Sequence, residues 1–196
     1  MKTKLLLIIS FMSISLLSAR DVIKDPDFKK EDKYWHLQLK NEYKNLKPVY
    51  KKGEISFNIS HTSEHYYISL LTETRIKEGK TYQLSFKFKG NGQGKVYVTH
   101  RCHPNVFKGK RFDARKDKLI SLGLVQTFEP KPGWQEATCV FVAQESPQRH
   151  LIEALIFMLG TYKGEVSISD LSFTELKESD IIPNERTGHI EIKAVK

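Results

Sequence analysis

The chain has 196 residues, of which 32 are Lys or Arg and 23 are Asp or Glu, giving a formal charge of +9. Its lysines and arginines are scattered through every segment rather than gathered in one block, which reads as solvated surface and argues against nucleic acid as a partner. The length suits a single domain able to bury a substantial core.

Lys2 and Lys4 precede an apolar stretch from Leu5 to Leu17 that ends in Ser18-Ala19, the pattern of a secretory signal peptide over residues 1–19. That stretch is too short and too serine-interrupted for a stable membrane span, and no later segment is long and apolar enough to cross a bilayer. Removing 19 of 196 residues leaves 177, and the loss of Lys2 and Lys4 lowers the charge from +9 to +7. The expected location is therefore secreted, periplasmic or in the cell envelope.

Beyond this leader, helical periodicity is nearly absent. Period-two or short apolar runs recur at Trp35 to Leu39, Glu54 to Ile59, Tyr66 to Leu71, Tyr82 to Phe88 and Val96 to Thr99, then at Leu119 to Phe128, Ala137 to Val142, Leu151 to Leu159 and Val166 to Phe173. Breakers such as Pro48, Gly53, Gly79, Pro130-Lys131-Pro132-Gly133 and Lys163-Gly164 separate them. Short strands at this spacing predict an all-β fold, an antiparallel β-sandwich or barrel over residues 20–177.

The clearest local pattern runs from Ile76 to Arg101. Lys77-Glu78-Gly79-Lys80 supplies a turn, Thr81 to Lys89 alternates polar and apolar, and Gly90-Asn91-Gly92-Gln93-Gly94 is expected to reverse the chain into Lys95 to His100. Read as a β-hairpin, it buries Tyr82, Leu84, Phe86, Phe88, Val96 and Val98. Its other face presents Gln83, Ser85 and Lys87 beside Tyr97, Thr99 and Arg101, with Tyr67 and Ser69 of the preceding strand able to join them; Tyr66 is the alternative exposed ring.

Two segments fit the strand pattern less well. Lys108 to Lys118 is a charged excursion, expected as an exposed loop. Residues 178–196 form a tail that alternates again at Ile190 to Val195, so it either adds an edge strand or stays mobile.

Only Cys102 and Cys139 are present, and two readings stand for them: a disulfide in an exported protein, or two small buried residues on strands. His61 and His65, and the group His100, Cys102 and His103, make a zinc site conceivable, but neither spacing is diagnostic. No nucleophile elbow, phosphate loop or dinucleotide fingerprint occurs. Glu64, Glu73, Asp113, Glu136 and Glu153 show no pattern that pairs two carboxylates for glycoside hydrolysis, so the chain is read as a non-enzyme.

The order of landmarks resembles secreted carbohydrate-binding modules of the jelly-roll type, represented by the cellulose-binding modules of bacterial glucanases and akin to galactose-binding domains. Asp25-Pro26-Asp27-Phe28-Lys29 ahead of Trp35 is similar to that family's opening, and Glu78-Gly79-Lys80-Thr81-Tyr82-Gln83-Leu84-Ser85-Phe86 to its middle motif. Trp134-Gln135-Glu136 with Phe141, then Leu159-Gly160, then Val166-Ser167-Ile168-Ser169-Asp170-Leu171-Ser172-Phe173 follow in the family's order. The resemblance implies a jelly roll, with Trp35 and Trp134 in the core. It also implies a structural calcium at the family's opening and closing acids, but Lys29 and Ser169 stand at two of those positions and leave only Asp170, so no cofactor is expected.

The function implied is non-catalytic binding of a poly- or oligosaccharide, acidic ones being favoured by the excess positive charge. Tyr67 or Tyr97 would stack on the sugar, and Gln83, Lys87, Thr99 and Arg101 would complete the site. The alternatives are a structural or adhesive envelope module that binds a protein partner through the basic loop or tail, and a protein acting beside a glycoside hydrolase.

Overall fold

A computed structural model describes residues 21–51, 53–146, 148–177 and 189–194. The expected signal peptide, residues 1–19, and the tail segment 178–188 lie outside them. The described residues form eleven strands: β1 (Trp35–Leu39), β2 (Val49–Lys51), β3 (Glu54–Ile59), β4 (Ile68–Thr74), β5 (Thr81–Gly94), β6 (Val96–His103), β7 (Ser121–Phe128), β8 (Gln135–Val142), β9 (Ile152–Met158), β10 (Tyr162–Glu175) and β11 (His189–Ala194). The only helical pieces among these residues are 3₁₀ turns, including 65–67 and 106–108.

Every strand pairing is antiparallel. One sheet has the order β1-β4-β9-β6-β7 and the other β11-β8-β5-β10-β3-β2, which makes a jelly-roll sandwich. Within the tail, His189–Ala194 form an edge strand, β11, on β8.

The core lies between the two sheets because alternation puts one apolar set of each strand inward. From β5 come Tyr82, Leu84, Phe86 and Phe88, all nearly inaccessible to solvent. Phe86 meets Phe128 of β7 and Phe157 of β9 edge to face, at centroid distances of 5.1 and 5.2 Å. Each such ring contributes about 2–3 kcal/mol by leaving water, and the edge-to-face geometry adds to it.

At the opening landmark, the Asp25 carboxylate accepts bonds from the Lys29 and Lys30 backbone amides. The Asp25 carbonyl takes the Trp35 indole N–H at 2.8 Å, and the Phe28 ring lies 4.8 Å from that of Trp35. Trp35 is core, as expected. Trp134 is not: it is half-buried, with the Lys89 ammonium 4.1 Å from its ring centre.

The stretch from Thr81 to His103 departs from a hairpin. The glycine-rich segment does not turn; it continues β5 alongside β10, with Asn91 opposite Glu165 and Gly92 opposite Gly164. The chain leaves at Gly94 and enters β6 in the other sheet. Two alternating strands joined by glycines satisfy a hairpin and a sheet-to-sheet crossing equally, since alternation assigns a face but not a partner.

Both cysteines are buried free thiols, Cys102 in the five-stranded sheet and Cys139 in the six-stranded one. Burial pushes the Cys139 thiol up to about 12.

Candidate functional site

Because β5 and β6 belong to different sheets, the polar face read from the sequence is divided. Gln83 and Lys87 lie on the outer side of the six-stranded sheet, where Lys87 is 2.9 Å from Asp170 and 3.9 Å from Glu136. Asp170, the one carboxylate left for calcium, is thus ion-paired; it sits at φ +50° in a bulge of β10. Among the described residues no group of three or more His, Cys, Asp and Glu gathers as metal ligands. His100 is instead buried against Thr74, its Nε2 2.7 Å from the Thr74 hydroxyl, and His61 stacks on Tyr43.

Tyr97, Thr99 and Arg101 project from the outer side of the five-stranded sheet. Thr99 is buried there and donates to the Leu124 carbonyl, so its hydroxyl is already used. Arg101 donates to the Leu119 carbonyl, while its Nε has no hydrogen-bond partner and burial lowers its pKa. It therefore fastens the end of the loop between β6 and β7 to the sheet.

Leu71, Ala154, Ile156 and Met158 make the middle of this outer face apolar, and Val106 and Phe107 of that loop pack on it with Tyr97. The charged excursion is an exposed loop, as expected, and it is tied to the sheet at its end. Its Asp117 carboxylate is buried, accepts the Asp113 backbone N–H and lies 2.8 Å from the His150 ring. Gln148 both receives the Lys118 N–H and donates to the Lys118 carbonyl.

Described residues of the outer face line a larger and a smaller concavity. The larger, about 940 Å³, is bounded by β1, the 65–67 turn and the β6–β7 loop, with His36, Gln38, Tyr66, Tyr67, Arg111 and Phe112 among its walls. The smaller, about 210 Å³, is lined by His65, Tyr97, Arg101 and Val125. Rings connect them: Tyr67 to Tyr66 at 5.1 Å, Tyr66 to His65 at 5.3 Å and His65 to Tyr97 at 5.2 Å.

Tyr66 is 44% and Phe112 50% exposed, which leaves ring faces open to a ligand. The Gln38 side-chain oxygen is buried without a hydrogen-bond partner. His36 and His103 are held below the ordinary histidine range, chiefly by burial. The Tyr67 phenol is held above its usual range, first by the neighbouring Tyr66 phenol and then by burial, so it stays a neutral donor and acceptor.

Of the residues singled out from sequence, Tyr67, Tyr97 and Arg101 share this face with Thr99, and Gln83 and Lys87 do not. Sequence reasoning missed Gln38, His36, Arg111 and Phe112. A lone aromatic, Phe112, inside an otherwise charged excursion was the available signal.

Solved structures share this architecture. The fold is that of carbohydrate-binding modules. A CBM4 structure superposes with a TM-score of 0.61 at 15% identity, covering 79% of this chain and 99% of the other. The second N-terminal cellulose-binding domain of Cellulomonas fimi β-1,4-glucanase C gives 0.51 at 20% identity, covering 83% and 98%. The N-terminal cellulose-binding domain of the same enzyme gives 0.53 at 15% identity, covering 74% and 90%. No family model and no curated protein matches the chain. At these identities the likeness establishes the jelly roll and leaves the ligand to the site itself.

Proposed function

We propose that the protein binds a saccharide non-covalently on the outer face of the five-stranded sheet, with the sugar seated in the large cleft. The observation that carries this reading is the row of rings Tyr67, Tyr66, His65 and Tyr97, which leads from the large cleft to the small one. Flat rings stack on the C–H faces of sugars, and amide, phenol and guanidinium groups beside them take the hydroxyls. Gln38, with a buried oxygen that lacks a donor, gains one from a ligand hydroxyl. The cellulose-binding neighbours support the same class of ligand.

Non-catalytic action fits the walls of the cleft. Glu42 is the one carboxylate among its described lining residues, and glycoside hydrolysis by the usual routes needs two. The small cleft has none.

A glycan array followed by calorimetry tests the reading. Tyr66→Ala, at an exposed ring, should weaken binding of an array hit by about tenfold while leaving the melting temperature nearly unchanged. Tyr67→Ala should weaken it similarly but also lower the melting temperature, because that ring packs on the core. An array without hits among neutral and acidic glycans would end the proposal.

The reading includes export, for which the basic and apolar leader is the support. No helix among the described residues is long and apolar enough to cross a membrane. Sequencing the N-terminus of the protein recovered outside the cytoplasm should start at Arg20; an intact Met1 there would refute cleavage.

A further inference from the structure

Three cations line the large cleft: Lys40, just after β1, and Lys110 and Arg111 from the β6–β7 loop. All three are exposed. Their side chains make no ion pair, hydrogen bond or ring contact among the described residues. Three other cations are ion-paired by contrast: Lys116 with Asp113 in the same loop, and Lys87 with Asp170 and Lys89 with Glu54 on the opposite sheet. Within the cleft only Glu42 opposes the three, and His36 and His103 add no charge at neutral pH because burial depresses both.

Unpaired like charges around one concavity repel each other while it is empty, and an anion entering it relieves that repulsion. Arg111 offers a planar fork for carboxylate or sulfate oxygens, and the two lysines offer mobile point charges. Tyr66, Tyr67 and Phe112 in the same cleft suit a sugar ring and not a simple polyanion.

We propose that the ligand of this cleft is an anionic saccharide, its acidic groups held by Lys40, Lys110 and Arg111 while the tyrosines stack on its rings. This inference rests on the saccharide-binding reading above. It adds the ligand's charge and names the side chains that read it.

Calorimetry on the purified protein with four polymers tests it: polygalacturonate, dextran sulfate, a neutral β-glucan and polyglutamate. One of the two acidic polysaccharides should bind at least about tenfold more tightly than the neutral glucan and polyglutamate. Which of the two binds distinguishes carboxylate from sulfate. The double variant Lys110→Gln/Arg111→Gln should lose about tenfold or more for that polymer, whereas Glu42→Gln should tighten it. Both changes are on exposed side chains, and an unchanged melting curve verifies that the fold is intact.

Equal or tighter binding of the neutral glucan overturns the inference and leaves saccharide binding standing. Polyglutamate binding as tightly as the acidic polysaccharide overturns it too, because the cleft would then read charge without sugar. Acidic binding indifferent to the double variant also overturns it. Failure of all three polysaccharides overturns the inference, and the saccharide reading falls with it only when the glycan array is also without hits.

Discussion

His100 is a base folded into an apolar interior. It is fully buried between Phe141 and Phe173, its Nε2 meets the Thr74 hydroxyl, and its Nδ1 has no partner. Burial pushes its pKa from 6.5 down to about 3. The unfolded chain therefore takes up a proton near 6.5, while the folded imidazole resists it down to about 3. Stability is complete above the upper value and falls as the pH drops through this window, by at most about 1.4 kcal/mol per pH unit. Urea titrations at about pH 7.5 and about pH 5 should show that loss, and His100→Leu should make the dependence shallower. An equal slope in the variant would mean that other groups carry it. The depressed His36 and His103 add in the same direction.

At the scale of elements, β5 and β10 approach so closely that side chains are excluded from part of their pairing. A Cβ on Gly92 would collide with the Lys163 carbonyl, and one on Gly164 would collide with the Asn91 carbonyl. Gly92→Ala should therefore destabilise by about 2–3 kcal/mol, as overpacking against backbone does. Gly79 differs: at φ +73° with nothing within 4 Å of a new Cβ, its alanine variant strains only the local backbone, about 1 kcal/mol. Thermal or urea denaturation separates the two, and equal losses would show that the β5–β10 pairing has room for a Cβ at Gly92. The sequence pointed to a chain reversal at the glycine run, and a tight turn and a close strand pairing both exclude a Cβ, so the glycines alone do not separate the two.

For the molecule as a whole, the division between faces makes its own prediction. Gln83→Ala and Lys87→Ala, on the six-stranded sheet, should leave glycan affinity unchanged, whereas Tyr97→Ala, on the five-stranded sheet, should weaken it, with calorimetry as the readout. Binding that depends on Lys87 and ignores Tyr97 would move the site to the opposite side. The alternation of Tyr82 to Phe88, the Phe28 and Trp35 landmark and the strand spacing sufficed for an all-β sandwich, since a period of two can bury an apolar face in few other ways. The sequence by itself determined that the chain is built of β-strands and which residues of Tyr82 to Phe88 and Val96 to Val98 face inward. Tertiary structure alone decided which sheet each strand joins, and so put Tyr97 and Arg101 on one side and Gln83 and Lys87 on the other. It alone also brought Gln38 of β1, Tyr66 and Tyr67 of the 65–67 turn and Arg111 of the β6–β7 loop around one cleft. Facing is set by neighbours along the chain, whereas partnership is set by contacts between residues far apart in it, on which a strand's local pattern carries no information.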